Sequence, residues 1–106
     1  MRVSELQCKL SAVRLTQPEA DGDILNWYAG DLLSHVMAKI PEGACWFTIM
    51  NNVNVAAVAS LTEAACVVLC EGVAPDGQLL EKAAASGVIL FSVKEDICGA
   101  IRKAFS

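Results

Sequence analysis

After Gly43 a short apolar run followed by a helix-length segment occurs three times, at a spacing of about twenty residues. Residues 45–50 (Cys-Trp-Phe-Thr-Ile-Met), 66–70 (Cys-Val-Val-Leu-Cys) and 88–91 (Val-Ile-Leu-Phe) are almost unbroken apolar runs. The stretches behind them, 55–63, 77–86 and 94–104, have the length and punctuation of helices. Strands apolar on both faces need cover on both faces, and strand–helix alternation brings each strand back parallel to the last. The expectation is therefore an α/β chain with three layers, α/β/α, around a mixed, mostly parallel sheet of about five strands. A chain of 106 residues has room for one such domain, spanning residues 1–106.

The first part of the chain adds smaller elements. Val3, Leu6 and Leu10 predict a helix over 3–10, and the alternation at 12–15 predicts a short strand. Residues 16–23, with Pro18, Glu19, Asp21, Gly22 and Asp23, predict a loop. The run 24–28 (Ile-Leu-Asn-Trp-Tyr) predicts another strand. These two strands are expected to extend the sheet, one of them antiparallel. Asp31 is the expected cap of a helix that turns Leu32, Leu33, Val36, Met37 and Ile40 inward and stops at Pro41-Glu42-Gly43. Asn54 is the expected cap of 55–63, Asp76 and Gly87 bound 77–86, and Ser92 with Glu95 reads as a capping box for the last helix.

Charge and composition narrow the function classes. A net charge of −4 and a pI near 4.8 exclude nucleic acid as the expected partner, because phosphate contacts need clustered Lys and Arg. The most apolar stretch, 53–70, is broken by Asn54, Ser60, Thr62 and Glu63, so no membrane span is expected. The opening Met1-Arg2-Val3-Ser4-Glu5 turns polar before a signal core forms, which predicts a cytoplasmic protein. The five cysteines (Cys8, Cys45, Cys66, Cys70, Cys98) show no Cys-x-x-Cys spacing and read as small buried hydrophobes. No metal and no cofactor are expected, and His35 reads as a solvated helix residue.

In open α/β sheets ligands sit beyond the carboxyl ends of the strands. Three segments of the sequence supply that edge: Asp31 and Ser34 after the second strand, Asn51, Asn52 and Asn54 after the third, and Glu71 with Gly72 after the fourth. Their amides, hydroxyl and acids suit a small polar ligand or the loop of a partner enzyme. Phosphate-loop, dinucleotide-fold and nucleophile-elbow signatures do not occur in the sequence. The alternative is a minimal enzyme acting on a small polar substrate with Asp31, Ser34 and the 51–54 loop. Hydrophobic residues make up 55% of the chain, more than a small domain hides comfortably, which predicts a homodimer. Trp27 and Tyr28 on an early edge strand, and the small-residue stretch with Val55, Ala56 and Ala59, are the expected contacts.

The segment Tyr28-Ala29-Gly30-Asp31-Leu32-Leu33-Ser34-His35-Val36-Met37-Ala38 resembles a DRTGG domain. The resemblance continues through Pro41-Glu42-Gly43, Trp46-Phe47-Thr48-Ile49, Asn54-Val55-Ala56-Ala57-Val58-Ala59 and Pro75-Asp76. It implies the α/β/α unit seen in the N-terminal domain of HPr kinase/phosphorylase. It also implies a non-catalytic regulatory or dimerising role, as in DRTGG domains that accompany CBS domains in regulated pyrophosphatases. The family's namesake residues fall near positions 21–27, where this chain reads Asp-Gly-Asp-Ile-Leu-Asn-Trp and keeps the first Asp.

Overall fold

The computed structural model describes residues 1–16 and 20–106. Residues 17–19 of the expected early loop lie outside them. In chain order the elements are α1 (Val3–Leu10), β1 (Val13–Arg14), β2 (Asn26–Ala29), α2 (Leu33–Lys39), β3 (Ala44–Thr48), α3 (Asn54–Leu61), β4 (Cys66–Leu69), α4 (Gly77–Ser86), β5 (Leu90–Ser92) and α5 (Ile97–Ala104). The five strands lie in the order β1-β5-β4-β3-β2. Strands β2 to β5 are mutually parallel, and β1 runs antiparallel to β5.

Every residue of β3 and β4 is buried, as expected of strands covered on both faces. Alternate residues build two separate cores. Cys45, Phe47, Cys66, Val68 and Phe91 pack against Val3, Leu6 and Leu10 of α1 and Ala100 and Ala104 of α5. Trp46, Val67, Leu69 and Leu90 face the opposite way, onto Val36 of α2, Val55, Ala56 and Ala59 of α3, and Leu79 and Ala83 of α4. Right-handed crossovers between strands that step in one direction must all fall on one side, so α2, α3 and α4 share a layer. The three-layer, mostly parallel architecture is therefore as the sequence predicts.

Several boundaries differ for identifiable reasons. Strand β2 begins at Asn26, where pairing to Ala44 begins, and not at Ile24. Ile24 is buried against the α1 layer, while Leu25 is 67% exposed. On α2 only Val36 is fully buried; Leu32 precedes the helix at 70% exposure, and Met37 lies about 100° round the helix from Val36. Strand β5 runs on to Ser92, which pairs with Val13. That extension displaces the expected capping box. Asp96 caps α5 instead, accepting from the Gly99 N–H at 2.7 Å, and Glu95 binds Lys103. For α4 the expected cap and stop are in place: Asp76 accepts from the Gln78 N–H at 3.1 Å, and Gly87 takes φ 71°.

Asp21 has a structural task. Arg2 at the start of α1 supplies no side-chain cap, and Asp21 does so from across the loop. It accepts from the Ser4 N–H at 3.0 Å, the Ser4 hydroxyl at 2.8 Å and the Gly22 N–H at 2.8 Å, with Arg2 at 3.3 Å. These hydrogen bonds hold its carboxyl at about 2, below the usual 3.8. Because the folded value is depressed, its stabilisation is complete above about pH 4 and is lost as the pH falls toward 2. Asp21→Ala is thus expected to melt earlier than the parent at neutral pH and to approach it in acid, read from thermal melts across that range. Parallel melting curves at every pH would contradict this.

The expectation that all five cysteines are buried fails for two of them. Cys45, Cys66 and Cys70 are buried on the α1/α5 face, while Cys8 and Cys98 are exposed. Burial pushes the Cys45 thiol far above its usual range. Cys70 is pushed up to about 12 by burial, with Asp31 and Glu71 adding repulsion. The folded protein should therefore give two fast-reacting thiols with a disulfide reagent and all five only in denaturant.

Candidate functional site

The carboxyl ends of the parallel strands form a rim from the loop after β2 to the loop after β5. Asp31 does not cap α2, whose flanking residue is Leu32. Its Oδ1 accepts from the Thr48 hydroxyl at 2.7 Å and from the Ile49 N–H at 2.9 Å, latching the β2–α2 loop onto the end of β3. The Thr48 hydroxyl in turn accepts from the Met50 N–H at 3.1 Å. Close by, the Trp46 indole N–H donates to the Gly30 carbonyl at 2.9 Å. Gly30 fits because a Cβ there would stand 3.2 Å from the Tyr28 ring.

The asparagine loop is organised differently from the sequence expectation. Asn52, not Asn54, turns the chain into α3: its Oδ1 accepts from the Asn54 N–H at 2.9 Å. Asn51 reaches the next loop, donating from Nδ2 to the Ala74 carbonyl at 2.7 Å while its own carbonyl accepts from the Asp76 N–H at 3.0 Å. Glu71 and Gly72 form a tight turn with both residues left-handed, at φ 62° and 64°. Their N–H groups donate to the carbonyls of Glu95 (2.7 Å) and Val93 (2.9 Å) in the loop after β5. The rim is thus a chain of hydrogen-bonded loops.

Two hollows adjoin it. Ser34 and Asn54 meet in an open groove between the first turns of α2 and α3, about 350 Å³, with Leu33, Met37, Ala57 and Val58. At the other end of the rim, Gly72 borders a cavity of about 470 Å³ formed with Ser11, Ser92, Lys94, Glu95 and Lys103 over Leu10, Val13 and Val93. Lys103 holds the Glu95 carboxyl below its usual value by its hydrogen bond. The candidate residues are therefore engaged at separate places: Asp31 at Thr48, Asn51 at Ala74, Ser34 and Asn54 in the groove, Gly72 at the cavity. His35 is exposed on α2, and the Asp31 carboxylate is directed to Thr48 and Ile49. Among the described residues no group of His, Cys, Asp or Glu is arranged to hold a metal ion. No helix among them is long and apolar enough to cross a membrane.

The expected dimer contacts also fall in different environments. Val55, Ala56 and Ala59 are buried in the chain's own core and present no exposed face. The small residues let α3 pack closely on the sheet and α4. Trp27 is half-buried, stacked on Phe47 at 6.2 Å and tilted against Phe105 at 4.6 Å. Tyr28 is half-buried on the opposite face.

Sequence reasoning missed Thr48 and, apart from Gly72, the cavity residues. A hydroxyl inside an apolar strand run is itself a signal, since a buried polar group needs a partner. Ser11 lies at the far end of the chain from Lys94 and Lys103, so no local pattern joins them.

No protein-family model matches the chain, and no curated protein matches it. Among solved structures it is similar to the CBS and DRTGG domains of the regulatory region of Clostridium perfringens pyrophosphatase, crystallised with the activator diadenosine tetraphosphate. The TM-score is 0.71 at 13% identity, over 96% of this chain and 45% of that one. The two share a fold. This chain spans less than half the length of that regulatory region.

Proposed function

We propose that the chain is a DRTGG-type regulatory module: a homodimer that binds a small molecule and transmits its presence to a partner enzyme, without catalysis of its own. The observation that carries this reading is the fold shared over nearly the whole chain with a regulatory region that was crystallised with a nucleotide activator. The hydrogen-bonded rim supports it as well. Asp31, Asn51, Glu71 and Gly72 each tie one loop to the next, so a ligand at one loop bears on the others. Exposed apolar side chains support self-association, notably Leu32 and Met37 on the α2 side, Leu61 and Phe105.

A thermal-shift panel of nucleotides, dinucleoside polyphosphates and common metabolites tests the reading. A specific ligand at about 100 times its Kd adds about 2.7 kcal/mol, which for a domain of this size raises Tm by on the order of 10 °C. A flat response across the panel would overturn the ligand-binding half of the proposal.

A further inference from the structure

Ligand crevices in open α/β sheets open where neighbouring strands send their chains to opposite faces. Strands β2, β3 and β4 all continue into helices of one layer, α2, α3 and α4. The chain after β5 departs from that rule, because α5 packs on the other face with α1. The two loops meet there, with the Glu71 and Gly72 N–H groups bonded to the carbonyls of Glu95 and Val93. The cavity of about 470 Å³ lies beside that junction, on the side of α1 and α5, within the usual size range of small-molecule sites.

Its chemistry narrows the occupant. In a chain of net charge −4, this cavity brings Lys94 and Lys103 together with a single acid among the described residues, Glu95, and with Ser11 and Ser92. Lysine acts as a point charge suited to phosphate, whereas planar carboxylates favour the arginine fork, and no arginine lines the cavity. A bare phosphate ion would leave Leu10, Val13 and Val93 uncovered, so the fitting ligand also carries an apolar body. We propose that this cavity is the effector site, taking a small phosphomonoester whose phosphate meets Lys94 and displaces Glu95 from Lys103, while its apolar part covers Leu10, Val13 and Val93. The proposal rests on the ligand-binding reading above and assigns it a place.

AMP, with adenosine and inorganic phosphate as its two halves, serves as the probe in an amide-resolved NMR titration of the full chain. The expected result is saturable AMP binding with shifts centred on Ser11, Gly72, Val93, Lys94 and Glu95. Removing a charge-assisted hydrogen bond with Lys103→Gln or Lys94→Gln should weaken AMP about tenfold. Glu95→Gln should tighten it by removing the competing carboxylate, a change of opposite sign that mere loss of folding cannot produce. AMP shifts centred on the groove of Leu33, Ser34 and Ala57 would overturn the site and leave the ligand-binding reading standing. Equal AMP affinity in the parent and both lysine variants would also overturn it. No shift from any of the three probes at millimolar concentration would overturn the site, with the panel above then deciding the broader reading.

Discussion

Trp46→Ala is expected to lower stability by about 3–5 kcal/mol, a large share of the 5–15 kcal/mol typical of a small domain. Trp46 is fully buried in the middle of β3, packed in the core under α2, α3 and α4. Its loss removes the largest side chain of that core and opens a cavity that a parallel sheet paired on both sides of β3 cannot collapse into. It also removes the donor to the Gly30 carbonyl, which positions the loop that carries Asp31. Trp46→Phe separates the two effects, because it keeps a ring in the core but drops the hydrogen bond. Its expected cost is smaller, about 1–2 kcal/mol. Urea unfolding of both variants checks the pair. Equal losses would mean that the hydrogen bond, and not the volume, carries the effect.

Asp31→Ala is the second large effect, expected at about 2–3 kcal/mol, because it strips two donors of a charged acceptor at once. One of those donors, the Thr48 hydroxyl, is fully buried, and the other is the Ile49 N–H at the end of β3. Asp31→Asn keeps an oxygen in place and should lose less. Thr48→Val deletes the hydroxyl, so a double-mutant cycle with Asp31→Ala isolates their coupling. A loss for Asp31→Ala under about 0.5 kcal/mol, the range of ordinary surface substitutions, would contradict the latch.

These two residues also show what was legible in the sequence. The apolar runs at 45–50 and 66–70 announced buried parallel strands, because period-two alternation is absent where both faces are covered. Val3, Leu6 and Leu10 announced α1 residue for residue, as helical spacing fixes one buried face. Asp76 and Gly87 announced the ends of α4, since both act on backbone within a few residues. Asp31 failed as a cap for the converse reason. Its partner, Thr48, lies 17 residues away, and a carboxylate near a helix start takes whichever donors the fold brings closest. Asp21 at α1 and Asn51 at Ala74 repeat that pattern over distances of 17 and 23 residues. The small residues of α3 read equally well as an interface or as close packing, and burial of Val55, Ala56 and Ala59 decided for packing. The cavity at β5 was illegible because its walls come from α1, β1, α5 and the turn after β4.

Native mass spectrometry of the protein mixed with a nucleotide panel tests the proposed homodimer and its small phosphorylated ligand together. An ion series at twice 11.2 kDa that carries bound nucleotide is expected. A series at 11.2 kDa without adduct, persisting as protein and nucleotide concentrations rise, would contradict it.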